Sequence, residues 1–210
     1  VSNGTTAAAA GAGQATVTGP NGNSATATGA GAAGKTTVGD TTFAGAAGAG
    51  TVTTSNGASV SGAGAAKGQV TQTENGKTWS TEAAGGVVNN NTGAYAEGKH
   101  TGSGSTTANA DGSTTTTRTG NNEVNTSAGS GSSTHTGTTT TNADGTTNYE
   151  GSTTANTSKG TVSTSTTAGN GEATTTVTKN GESSTYTAGD GIAIVNGLSC
   201  MACHTEGMRP

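Results

Sequence analysis

Four residue types are confined to one short segment of this chain. Every isoleucine, leucine, methionine and cysteine lies between Ile192 and Met208. Leu, Ile, Val and Phe together number 16 of 210 residues, far below the roughly 20% under which a chain struggles to form a hydrophobic core. Aromatic residues make up only 2% of the chain. A domain built around a three-dimensional core of Leu and Phe is therefore excluded.

The low charge of the chain also distinguishes it from the usual disordered proteins. Charged residues make up 10% of the sequence and the net charge is −4, so the chain does not repel itself strongly. Backbone hydrogen bonding between strands is available to any side chain. We therefore expect an all-β fold of stacked short strands, either a β-solenoid or a repeat sheet, that assembles into a homo-oligomer or fibre.

Alternating segments and turn signals indicate where the strands and the hairpin turns lie in the sequence. Thr16–Thr18 and Thr174–Thr178 are examples of short runs in which β-branched residues favour an extended backbone. Asn-Gly or Asp-Gly pairs lie between such runs and suit tight hairpin turns. These pairs begin at Asn21, Asn56, Asn75, Asp111, Asp144, Asn170, Asn180 and Asp190.

The turn glycines recur at similar distances, and the composition divides the chain into three regions. Gly22 and Gly57 are 35 residues apart, and Gly112 and Gly145 are 33 apart, which indicates a repeated unit such as a hairpin. Residues 1–68 are rich in Ala and Gly, and residues 69–188 are rich in Thr, Ser and Asn. Residues 189–210 form a separate tail.

Several classes of partner are disfavoured by the sequence. The eight Lys and Arg residues are isolated, so binding to nucleic acid is not expected. No stretch approaches the roughly 20 apolar residues of a membrane span. Single Asp residues beside turns, such as Asp111 and Asp144, lack the clustered ligands typical of calcium sites and are interpreted as turn formers.

The tail contains the one compact motif with metal or redox chemistry, Cys200-Met201-Ala202-Cys203-His204. Both cysteines of the chain lie in it, at the spacing used for covalent attachment of haem. The residues alone also allow a disulfide or free-thiol pair beside a histidine. A third interpretation is half of a zinc site, for which His100 and His135 are the other available nitrogen donors.

The tail resembles the haem-binding segment of bacterial c-type cytochromes over about 15 residues. The resemblance implies one covalent haem c, with Cys200 and Cys203 as attachment points and His204 as the proximal iron ligand. Met201 and Met208 lie too close to His204 in sequence to reach the opposite side of the ring. The sixth ligand is therefore expected from His100, His135, another subunit or water.

The leading hypothesis is a non-enzymatic structural subunit of an extracellular fibre or matrix on a bacterial surface. It would carry one haem c for electron transfer between subunits or redox partner proteins, and the resemblance implies export, because haem is attached outside the cytoplasm in that family. The apolar residues around the motif would contact the porphyrin: Ile192, Ile194, Val195, Leu198, Met201 and Met208. The alternative is a purely structural or adhesive repeat protein without a redox role.

Overall fold

The computed structural model describes residues 6–189, which form one open antiparallel sheet of twelve strands. Each strand pairs with the strands that precede and follow it in sequence, so the chain meanders across the sheet without a crossover. No helix occurs in the described range. The prediction of an all-β repeat sheet is confirmed. The strands are β1 (Thr6–Thr18), β2 (Ser24–Val38), β3 (Thr41–Thr54), β4 (Ser59–Thr73), β5 (Gly76–Asn89), β6 (Tyr95–Ala108), β7 (Thr114–Thr126), β8 (Gly129–Thr141), β9 (Thr147–Thr157), β10 (Gly160–Gly169), β11 (Glu172–Lys179) and β12 (Glu182–Gly189).

The strands are longer than the short alternating segments predicted from sequence. They contain 8 to 15 residues, because the Ala- and Gly-rich stretches continue the extended backbone rather than interrupt it. In β3, for example, the segment Ala44–Gly50 is as regularly paired as the Thr-rich ends. Glycine normally weakens a strand interior, and each glycine of this segment in β3 is paired with strands on both sides.

The Asn-Gly and Asp-Gly pairs within the described range lie at the strand connections, as predicted. Asn170 and Asn180 have positive φ of 54° and 50°, and the glycines that follow them are also positive, which is the backbone that two-residue hairpin turns require. The pair beginning at Asp190 lies outside the described residues.

The sequence repeat corresponds to a unit of two strands and two connections. Gly22 and Gly57 lie in turns at the same end of the sheet, one hairpin apart, and so do Gly112 and Gly145 at the other end. Gly145 and Gly181, although 36 residues apart, lie at opposite ends, because the later strands are shorter. The compositional boundary at residue 68 falls inside β4.

The described sheet is a single layer with two open faces. Within residues 6–189 no hydrophobic side chain is buried, and Ser113 is the buried polar residue. Side chains alternate between faces along each strand, and the unbroken register assigns every strand residue to one face. We call the side that carries Gly48 and His100 the glycine face. The opposite side, with Ser103 and Thr119, is the hydroxyl face.

Candidate functional site

The residues predicted to hold haem lie outside the described part of the chain. Cys200, Cys203 and His204 belong to residues 190–210, as do the apolar residues proposed to contact the porphyrin. Among residues 6–189, no group of three or more His, Cys, Asp or Glu side chains is placed to hold a metal ion. The same range contains no helix with the length and apolar character of a membrane span.

The two histidines considered as the sixth iron ligand both lie on the glycine face. Nδ1 of His100, in β6, is 2.8 Å from Oδ1 of Asn122 in β7, and this hydrogen bond fixes the ring orientation. His135 lies two strands away in β8, about 10 Å across the sheet. Both side chains are partly exposed. The sheet thus presents both imidazoles to the same side without bringing them together.

Large side chains on the glycine face lie flat over glycines of the same or the adjacent strand. A Cβ atom placed on Gly104 would overlap the indole of Trp79, and one on Gly120 would overlap the imidazole of His135. The phenol of Tyr149 covers Gly151 in the same way. Because the glycines have no side chains, the rings lie close to the sheet and the face stays nearly flat.

Glycines on this face also form two parallel rows across the first strands. One row crosses six strands, because each of its glycines is the register partner of the next: Gly11, Gly31, Gly48, Gly64, Gly85 and Gly98. The second row lies two residues further along the strands and comprises Gly13, Gly29, Gly50 and Gly62. Together the two rows form a shallow trough. Part of this trough is a surface groove lined by Gly48, Gly85 and Val87.

The hydroxyl face of the same strands carries rows of alanine. Each alanine is next to a trough glycine in sequence and therefore projects from the opposite side of the sheet. The rows consist of Ala10, Ala32, Ala47, Ala65 and Ala84, and of Ala12, Ala30, Ala49 and Ala63. The methyl groups form a ridge directly behind the trough. We call these two features the alanine ridge and the glycine trough.

Beside and beyond the alanine ridge, serine and threonine form a row on the hydroxyl face that begins in β5. A single row crosses eight strands through Ser80, Ser103, Thr119, Thr136, Ser152, Ser165, Thr176 and Thr185. Hydrogen bonds join some neighbours in this row: the hydroxyls of Ser103 and Thr119 are 2.9 Å apart, as are those of Thr136 and Ser152. The stacked hydroxyls therefore satisfy one another without a core.

Charge is distributed unequally between the two faces. The glycine face carries four basic residues and one acidic residue, a net charge of +3, from Lys35, Lys77, Arg118, Lys179 and Glu182. The hydroxyl face carries two basic and five acidic residues, a net charge of −3, from Lys67, Lys99, Glu82, Glu97, Glu123, Glu150 and Glu172. The strands of a weakly charged chain thus build a sheet with oppositely charged sides.

Two of the aspartates considered as calcium ligands are engaged in turns. The carboxylate of Asp111 accepts hydrogen bonds from the hydroxyl and the backbone N–H of Ser113, and that of Asp144 accepts the same pair from Thr146. In each case the hydroxyl bond, followed by the backbone bond, lowers the pKa of the carboxyl below its ordinary value. These contacts support the interpretation of both residues as turn formers.

Sequence reasoning did not identify the trough, the ridge or the charged faces. A signal for the first two was present, since each of the first four strands contains an alternating Gly-Ala tetrapeptide, such as Ala47–Gly50. The charge separation had no comparable signal, because the face of each charged residue depends on the register.

Comparisons with protein-family models, curated proteins and solved structures find no match to the chain.

Proposed function

We propose that this chain is a non-enzymatic structural subunit of a bacterial extracellular or cell-surface assembly that carries one covalent haem c. In this role it transfers electrons to haems of neighbouring subunits or to redox partner proteins. The open sheet supports the structural part, and the tail motif supports the redox part. The two parts rest on different residues and are tested separately.

The observation that carries the structural part is a large sheet without an interior. Twelve strands are held in register by backbone hydrogen bonds, and no hydrophobic side chain is buried in residues 6–189. Large exposed apolar surface is typical of interaction sites. In the described sheet, eight of the eleven exposed large hydrophobic residues are on the glycine face: Val17, Val52, Val60, Val70, Val87, Val124, Val162 and Tyr186. A scaffold whose copies cover one another's faces accounts for this arrangement.

The donor set of the tail fits a haem c. Cys200 and Cys203 would hold the porphyrin through thioether bonds, and His204 would ligate the iron through its imidazole. The group, when bound, supplies one-electron transfer. Among the candidates for the sixth ligand, His100 has its Nδ1 hydrogen bonded to Asn122, an arrangement that orients the Nε2 atom of a metal-ligating histidine.

The alternative function is that of a purely structural or adhesive surface protein. It differs from the first only in that the tail carries no haem. A reduced-minus-oxidised absorption spectrum of the purified full-length chain separates the two. The proposal requires a Soret band with sharp reduced α and β bands that is lost in a Cys200→Ser/Cys203→Ser variant. A spectrum without these bands, from a chain in which both thiols can be alkylated, would leave only the structural role.

A further inference from the structure

We propose that copies of this chain stack in one direction, with the hydroxyl face of one copy covering the glycine face of the next. This stacking rests on the proposed structural function and names the surfaces through which the subunits would bind one another. The partner is a second copy of the same chain, because the two faces of one sheet are complementary in shape and in charge.

Shape complementarity comes from the positions of the ridge and the trough. Both cross strands β1–β5, and their residues alternate along each strand, as Ala47 and Gly48 do in β3. A copy translated perpendicular to the sheet and displaced by one residue, about 3.4 Å, places the ridge methyl groups over the trough. Each methyl group then fills the space that a missing glycine side chain leaves.

Charge complementarity favours the same pairing of faces. Two glycine faces would bring together surfaces of net charge +3, and two hydroxyl faces would bring together surfaces of net charge −3. The mixed arrangement sets opposite charges against each other, which favours encounter and suppresses the wrong pairings. Face-to-opposite-face stacking is therefore preferred over a symmetric dimer.

The available area is sufficient for a stable contact. The small-residue part of β1–β5 spans five strands and about ten residues along them, which at about 4.8 Å and 3.4 Å per step gives about 800 Å² on each partner. A standard protein–protein interface buries about the same accessible surface area on each partner. The remaining seven strands extend the contact through Thr- and Ser-rich surface.

The stacking direction determines the form of the assembly. A contact between two different faces leaves one free glycine face and one free hydroxyl face after every addition. Such heterologous contacts continue as open filaments unless rotation closes them into a ring. The structure thus accounts for growth from a single kind of subunit.

The test changes the trough and the ridge of the full-length chain, first separately and then together. One variant fills the trough (Gly31→Ala, Gly48→Ala, Gly64→Ala), and a second removes the ridge (Ala32→Gly, Ala47→Gly, Ala65→Gly). At the three glycines a new Cβ would lie 3.3 to 3.4 Å from the nearest carbonyl oxygen, so the sheet can accept it with small shifts. Circular dichroism of each variant establishes that the strands are formed.

Each triple variant should raise the critical concentration for assembly, followed by light scattering and electron microscopy, at least about tenfold. The six-substitution combination, which has the wild-type composition, should restore it, because ridge and trough have changed sides together. Triple variants that assemble like the wild type, or a combination as weak as either of them, would overturn the stacking mode. A wild-type chain that remains a monomer would instead overturn the proposed structural function.

The electrostatic part has its own matched pair of variants. Lys77→Glu changes the glycine face, whereas Lys159→Glu makes the same change in net charge at a connection between β9 and β10. At low ionic strength Lys77→Glu should slow assembly several-fold and Lys159→Glu should not. Equal effects of the two variants would show that net charge alone controls assembly and would contradict charge pairing between faces.

Discussion

The indole ring of Trp79 in β5 lies over Gly104 in β6, at a position where a methyl group on the glycine would overlap the ring. The two residues are register partners, so glycine is required for the ring to lie flat on the sheet. Trp79 is the single tryptophan of the chain and therefore reports on this contact without interference.

Gly104→Ala is expected to shift the β7 backbone, because the new Cβ would overlap the carbonyl oxygen of Thr117, and to displace the Trp79 ring toward solvent. Its fluorescence emission should shift to longer wavelength, and the free energy of unfolding should fall by about 1–3 kcal/mol, the typical effect of overpacking. Gly98→Ala is the control, because a Cβ there meets its nearest neighbour at 3.5 Å and lies on the same face of β6. An unchanged emission spectrum in Gly104→Ala would contradict the contact.

Hydroxyl pairs on the hydroxyl face should contribute individually to stability. We expect a double-mutant cycle of Ser103→Ala and Thr119→Val to give a coupling free energy of about 0.2–1 kcal/mol, since the two hydroxyls are hydrogen bonded. Thr119 and Thr136 are also register partners, but within the described sheet their hydroxyls are not bonded. A cycle on that pair should show coupling near zero, and equal coupling in both cycles would refute the assignment.

The fold class and the turns could be predicted because they depend on local chemistry. The glycine of each described Asn-Gly or Asp-Gly pair has positive φ, as Gly181 does, because glycine adopts this backbone without a steric penalty. Runs such as Thr174–Thr178 favour the extended backbone wherever they occur. The length of the strands was underestimated at segments such as Ala44–Gly50, where propensity is weak and pairing with both neighbouring strands determines the structure.

The two faces could not be predicted, because a face is a property of the register. Lys77 and Glu82 are close in sequence, yet they project from opposite sides of β5, and only the pairing with β4 and β6 relates them to other charges. The same holds for Trp79 and Gly104. The proposed haem motif is the opposite case, since the prediction for Cys200, Cys203 and His204 rests on spacing alone and these residues lie outside the described range.

Stability should decrease in acid through the turn aspartates. The hydroxyl and backbone N–H of Thr146 lower the pKa of Asp144 in the folded chain, whereas the unfolded value is about 3.9. The contribution of the carboxylate is therefore fully present above about pH 4 and is lost as the pH falls through the lowered folded pKa. Denaturant unfolding of the wild type and Asp144→Ala should differ at neutral pH and converge in strong acid.

A control for this pH dependence is Thr146→Val, which removes the hydroxyl donor and keeps the backbone donor. The pKa of Asp144, followed by NMR, should rise toward its ordinary value in this variant. A difference between wild type and Asp144→Ala that persists undiminished in strong acid would count against the linkage.

The ion pair between Lys67 and Glu82 is expected to matter little for folding. Nζ and Oε2 are 3.0 Å apart, but the two side chains are 73% and 46% exposed, so water and salt screen the interaction. Below the concentration at which the chain assembles, Lys67→Met should change the free energy of unfolding by less than about 1 kcal/mol, and added salt should reduce even that difference. A larger, salt-independent effect under those conditions would contradict screening of the pair by water and salt.

The proposal that a structural sheet carries a redox group is tested most directly by the intact mass of the chain purified from its native host. We expect the mass of the polypeptide plus one haem, retained under denaturing conditions because thioether bonds at Cys200 and Cys203 are covalent. The mass of the polypeptide alone, or with a single disulfide, would contradict it.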